Sequence, residues 1–123
     1  MKGIREKGTS LAFGNYGLKS LDCAWLKANQ IESARKAITH ATKRLGKVWI
    51  RVFPDKPVTK KASGAKMGSG KGDVDGYVAV IRPGKIIFEL GGVEAEIAKE
   101  ALELAAAKLP FRTKFISRDS GER

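Results

Sequence analysis

Cysteine and histidine each occur once in the 123-residue sequence, as Cys23 and His40. A lone thiol excludes an intramolecular disulfide, and one thiol with one imidazole cannot supply the ligand set of a structural zinc site. Long apolar runs are missing too. No stretch approaches the ~20 consecutive apolar residues that span a bilayer, and the opening MKGIREKG lacks the apolar centre of an export signal. The expectation is a soluble, unexported protein with no metal, no cofactor and no membrane partner. Acidic residues are also scarce: 13 Asp and Glu stand against 24 Lys and Arg, a net charge of +11 that attracts polyanions.

What is present is enough to fold. With 42% hydrophobic and 30% charged residues the chain reads as one globular domain over residues 1–123. Its charge is unevenly spread. Residues 1–72 hold sixteen basic and four acidic side chains, whereas residues 73–123 hold eight and nine. Polyanion contact is therefore expected from the first part. Lysines present only for solubility would be interspersed with acids, as they are around residues 94–108.

Periodicity supplies the elements. Residues 1–8 read as a basic arm, and residues 9–21 as two short extended segments around Gly14 and Gly17. Residues 28–47 read as a helix, with Asn29 as its cap, Gly46 as its stop, and Ile31, Ala34, Ile38, Ala41 and Leu45 facing inward. Its other face carries Arg35, Lys36, His40, Lys43 and Arg44, offset only by Glu32. Residues 47–53, KVWIRVF, alternate as a strand, with Val48, Ile50 and Val52 on one side and Trp49, Arg51 and Phe53 on the other. We assign Trp49 and Phe53 to packing in preference to base stacking.

Pro54 and Pro57 are expected to stop that strand and open a loop over residues 54–76, longer than compact domains use without a function. Residues 77–81 and 85–90 then read as an antiparallel hairpin around Arg82, Pro83 and Gly84. A second helix follows over residues 91–109, with Val93, Ile97, Ala101, Leu104 and Ala105 inward and Glu94 and Glu96 in its first turn. Pro110 ends it, residues 111–117 form an edge strand, and residues 118–123 form a flexible tail. The fold class is α+β: a two-layer α/β sandwich in which a mainly antiparallel sheet packs against two helices, with a long glycine- and lysine-rich loop.

The loop sequence KMGSGKGDVDG invites a nucleotide reading, which its spacing refuses. A phosphate-binding loop needs a glycine five residues before the Gly-Lys pair and Ser or Thr after it, and alignment on Gly70 and Lys71 places Ala65 and Gly72 there. Gly68, Gly70 and Gly72 alternate, which also fails the dinucleotide fingerprint. No nucleophile, base or carboxylate pair makes a catalytic constellation, so no enzyme is expected. What remains is a cationic loop whose glycines allow close approach to sugar-phosphate, flanked by a basic arm and a basic helix.

The run KRLGKVWIRVFPDKP, together with FGNYGLKSL, the glycine-lysine loop and AAAKLPFRTKF, resembles the bacterial and organellar large-ribosomal-subunit protein L-sixteen family along nearly the whole chain. The resemblance implies a structural constituent of the large subunit that binds large-subunit rRNA and joins late in assembly. It also implies help in positioning aminoacyl-tRNA near the A site and peptidyl-transferase centre. Its implied rRNA-binding residues are Lys2, Arg5, Lys7, Arg35, Lys36, Lys43, Arg44, Lys47 and Arg51, and its implied tRNA loop residues are Lys60, Lys61, Lys66, Met67, Gly68, Gly70, Lys71 and Gly72. Implied partners are large-subunit rRNA, aminoacyl-tRNA with peptidyl-tRNA as a further candidate, and neighbouring large-subunit proteins, with no homo-oligomer. The implied location is the ribosome in the cytoplasm, an organellar ribosome being the other compartment.

Three departures accompany the resemblance. Lys66 stands where the family has arginine before Met-Gly, which keeps the charge and loses the bidentate fork, and Tyr77 replaces the usual end of that signature while retaining a ring. Members usually carry a further basic segment ahead of KGIREKG, and a sequence opening without it is expected to hold rRNA less tightly. The alternative function is a free RNA-binding regulator or chaperone, separated from the first by whether the chain resides stoichiometrically in one particle.

Overall fold

In the computed structural model, residues 10–59 and 74–118 are described. The elements in chain order are β1 (Tyr16–Ser20), β2 (Ala24–Lys27), α1 (Ala28–Ala41), β3 (Lys47–Ile50), β4 (Lys56–Thr59), β5 (Val74–Ile81), β6 (Ile86–Gly91), α2 (Ala95–Ala106) and β7 (Thr113–Ser117). The α+β class is as expected, with every strand pair antiparallel, but the strands divide into two sheets. One has the order β3-β6-β1-β7 and the other β2-β5-β4. Because β1 leads into β2, β3 into β4 and β5 into β6, the second sheet repeats the lateral order of the first.

This division corrects the expected hairpin of residues 77–81 with 85–90. β5 pairs with β2 and β4, β6 pairs with β1 and β3, and the two do not pair with each other. The turn between them hands the chain from one sheet to the other. Lys85 N–H donates to the Arg82 carbonyl (3.1 Å), Gly84 adopts φ +91°, and Ser20 at the end of β1 bonds both Gly84 and Lys85 through its backbone at 2.8 Å. A tight turn signals a reversal of direction, and distant strands decide which ladders form.

The expected loop of residues 54–76 is shortened in the same way. Lys56–Thr59 is β4, and residues 74–76 open β5. Pro57 does not stop the strand because β4 is a sheet edge, where a residue without an N–H is tolerated. β2 was not expected; its four residues run directly into α1 with no breaker between them.

Both helices pack together and against one face of the sheets. Leu18, Leu26, Ile31, Ala34, Ile38, Ala79, Ile81, Phe88, Leu90, Ala98, Ala101 and Leu102 make the core. The inward face of α2 is therefore Ala98, Ala101, Leu102 and Ala105, while Ile97 and Leu104 are exposed, a rotation from the expected set. The alanines let α1 and α2 approach closely, which turns the bulkier residues outward. Among the described residues no helix is long and apolar enough to cross a membrane.

Residues on the opposite face of the four-stranded sheet alternate with that core. Trp49, Glu89, Gly17 and Ile116 occupy one cross-strand row. The strap of residues 10–15, not a strand as expected, lies across this row, with Leu11 buried over Gly17. A Cβ on Gly17 would sit 2.4 Å from Leu11 Cδ2. β7 is one of the two edge strands of this sheet, an edge position as expected, and Arg118 beyond it is no free tail: its N–H donates to Asn15 O (2.8 Å) and its guanidinium to Gly14 O (2.7 Å).

Candidate nucleic-acid interface

The basic helix ends earlier than its sequence suggests, and the ending shapes the surface. Lys27 is the N-cap, its N–H bonded to Gln30 Oε1 at 2.9 Å, so Asn29 does not cap. At the other end α1 stops at Ala41, and Arg44 N–H donates back to Thr39 O (2.8 Å) while Lys43 N–H donates to His40 O (3.2 Å). These two bonds are the glycine-type helix stop in which the residue after the cap is left-handed. Here that residue is Lys43, at φ 57°, followed by Arg44 at φ 65° and then Gly46 at φ 76°. Gly46 serves the following strand, and Leu45, expected in the core, is 62% exposed.

A left-handed non-glycine residue costs roughly 1–2 kcal/mol, and such strain collects at functional positions. Replacing Lys43 by glycine is accordingly expected to raise stability by about 1 kcal/mol, measured as a higher urea midpoint with an unchanged m-value.

Lys36, His40, Lys43, Arg44 and Lys47 line one open groove of about 940 Å³ between the end of α1 and the start of β3. Lys36, Lys43, Arg44 and Lys47 make no ion pair with any described carboxylate. Arg35 differs, since both its Nε (3.1 Å) and Nη2 (2.5 Å) donate to the Glu32 carboxylate. That exposed hydrogen-bonded pair holds the Glu32 carboxyl below its ordinary range. A run of unpaired cations on a concave surface, with one internal pair at its border, binds a row of phosphates better than it binds one small anion.

Arg51 is taken out of that set. Its guanidinium pairs with Glu89, whose side chain has no solvent exposure, and Glu89 also accepts N–H bonds from Ala12 (3.0 Å), Phe13 (2.7 Å) and Gly14 (2.7 Å). Burial alone pushes a carboxyl upward, but the three backbone donors and Arg51 outweigh it and hold Glu89 below the usual carboxylate range. Arg51 therefore acts as an internal counterion. Phe53, expected to pack, is 74% exposed; Trp49 is half-buried and stacks on Phe13 with ring centroids 5.9 Å apart.

A model of the family described as Ribosomal protein L16p/L10e matches residues 1–116. The chain belongs to this family. Large ribosomal subunit protein uL16 of Kosmotoga olearia is 58% identical over 118 residues, covering 96% of this chain and 84% of that protein. Its counterpart in Porphyromonas gingivalis is 57% identical, covering 96% and 82%, and that of Thermosipho melanesiensis is 55% identical, covering 96% and 83%. This is a family of ribosomal structural proteins, consistent with a sequence that holds no catalytic constellation.

Within the L16p/L10e chain the expected residues separate into three groups. Lys36, Lys43, Arg44 and Lys47 come together at one groove, which Arg35 also lines while paired to Glu32, and Arg51 turns to Glu89. Lys2, Arg5, Lys7, Lys60, Lys61, Lys66, Met67, Gly68, Gly70, Lys71 and Gly72 lie outside the described residues. Sequence reasoning missed Glu89, and it took Phe13 only as one apolar residue of the first extended segments. A signal for Glu89 existed: it is the one acid inside the apolar run KIIFEL, and such an acid needs a partner.

Proposed function

We propose that this chain is a structural constituent of the large ribosomal subunit, holding large-subunit rRNA at the cationic turn between α1 and β3 and meeting aminoacyl-tRNA through Lys60, Lys61, Lys66, Met67, Gly68, Gly70, Lys71 and Gly72. The observation that carries it is the coincidence of L16p/L10e membership with strained, unpaired cations at Lys43 and Arg44. No bond is made or broken. The cations release counterions from folded RNA, and recognition rests on shape, phosphate and 2′-hydroxyl in place of base sequence. Neighbouring large-subunit proteins, entry late in assembly, and a place near the A site complete the proposal.

β4 and β5 pair as far as Thr59 and Val74, the described residues that flank the glycine-lysine segment, and β2 pairs with the other end of β5. Sedimentation of the chain with large subunits stripped of their own copy, in salt that suppresses nonspecific adhesion, tests the reading. Saturation at one copy per particle is expected. Unsaturable binding that salt removes would instead indicate a free RNA-binding protein. Lys66→Ala with Lys71→Ala is expected to weaken aminoacyl-tRNA binding more than subunit association, and the reverse order would sink the loop assignment. Lys43→Gly, although expected to stabilise the fold, is expected to reduce the salt slope of rRNA binding by about 0.7–0.9.

A further inference from the structure

We propose that Phe13 is a nucleobase-stacking residue, which takes an unpaired base of the RNA whose phosphates lie along residues 43–47. The inference rests on the rRNA reading above and adds to it an aromatic contact that charge does not provide.

The strap of residues 10–15 buries one apolar side chain and displays another. Leu11 is 6% exposed over Gly17, whereas Phe13, two residues on, is 58% exposed. Its ring has an aromatic floor: Trp49 stacks at 5.9 Å with planes 19° apart. Arg51 lies 5.3 Å from the Phe13 centroid and Lys47 Nζ lies 5.6 Å from that of Trp49. Arg51 is already paired with Glu89, so the free cation beside this aromatic step is Lys47, and the pair of rings with that lysine fits a planar base and an adjoining phosphate.

The backbone beneath the ring is fixed. Ala12, Phe13 and Gly14 all donate to the buried Glu89 carboxylate, and a Cβ on Gly14 would lie 2.8 Å from Leu90 O, so the strap sits directly on the sheet. A ring held this way loses little entropy when a base settles on it.

Continuity with the basic groove selects RNA over a protein side chain as the occupant. Lys47 both lines that groove and flanks the Trp49 ring, so phosphate and base contacts meet at one residue. A strand crossing the groove would bring its next unpaired base to Phe13.

The test measures binding of full-length Phe13→Leu, Phe13→Ala and Phe13→Tyr to deproteinised large-subunit rRNA across a salt series, with thermal unfolding of each variant alongside. The leucine and alanine variants are expected to bind about 5- to 150-fold more weakly, the tyrosine variant to bind as wild type, and all slopes against salt to stay unchanged. Leucine keeps the apolar bulk, so its loss cannot be read as unfolding when its melting temperature is retained. Wild-type affinity in Phe13→Leu overturns the stacking role alone. A loss seen with whole particles but not with naked rRNA overturns it too, in favour of a protein neighbour. Failure of the wild-type chain to bind rRNA removes the rRNA reading itself.

Discussion

Glu89→Gln is expected to destabilise the fold by about 3–5 kcal/mol, a large fraction of the 5–15 kcal/mol typical of a domain, read as a lower urea midpoint by circular dichroism. Glu89 has no solvent exposure and answers four donors: three successive backbone N–H groups of the strap and the Arg51 guanidinium. The amide of glutamine replaces one accepting oxygen by an NH2 group. Donors then face donors, and Arg51 loses its counterion. A cycle with Arg51→Met separates the two effects: the double variant should recover the Arg51 share and leave the strap's share lost.

The same carboxylate gives the fold an acid limit. Its folded pKa lies below its unfolded value of about 4.3, so between the two the unfolded chain binds more protons. The contribution is fully present above the unfolded value and is lost as pH falls through the folded one. Wild-type stability should therefore decline below about pH 4.3 with a component that Glu89→Gln lacks. Parallel declines in the two proteins would show that Glu89 is not the group responsible.

Gly46→Ala is expected to cost roughly 2–5 kcal/mol, combining the left-handed penalty with overpacking. At φ +76° an added Cβ would lie 2.4 Å from Gly91 O and 2.9 Å from Val93 Cγ1. Carbonyl oxygen of a paired strand cannot swing aside as a side-chain tip can. The close approach is mutual, because a Cβ on Gly92, at φ +82°, would meet Gly46 Cα at 2.9 Å. Gly46 lies between Arg44 and Lys47, so rRNA affinity should fall along with stability. Gly76→Ala is the control: a Cβ there meets nothing within 4 Å, and the substitution should be neutral or stabilising by up to about 1 kcal/mol. Equal melting temperatures for the two variants would contradict the contact between the starts and ends of β3 and β6.

Several errors of sequence reading share one cause. Asn29 was assigned the cap and Gly46 the stop of α1 because each residue type suits the role, but Gln30 reaches the N-cap and Lys43 takes the left-handed position. Preference of a residue for a site is weak, about 1 kcal/mol, and packing outweighs it. Ile97 and Leu104 were placed inward by their bulk, whereas the helix pair buries the alanine side. The acidic start of α2, with Glu94 at the N-cap and Glu96 in the first turn, was legible because it depends on neighbouring residues alone, whereas the edge position of β7, though as expected, is set by its pairing with distant β1.

What the sequence by itself determined is local or summed: two amphipathic helices, strands of the right composition, a positive charge concentrated in residues 1–72, no catalytic constellation, and the motifs of a ribosomal family. Periodicity, charge and motif spacing are carried by residues close in the chain, so they survive without coordinates. Tertiary structure alone decided that the chain passes from one sheet to the other between β1 and β2, β3 and β4, and β5 and β6, that Arg51 answers a buried charge 38 residues away, and that Glu89 reaches back 75 to 77 residues to hold the strap that carries Phe13. Those choices arise from competition among distant partners for a limited set of buried hydrogen bonds, and no local pattern encodes which partner wins.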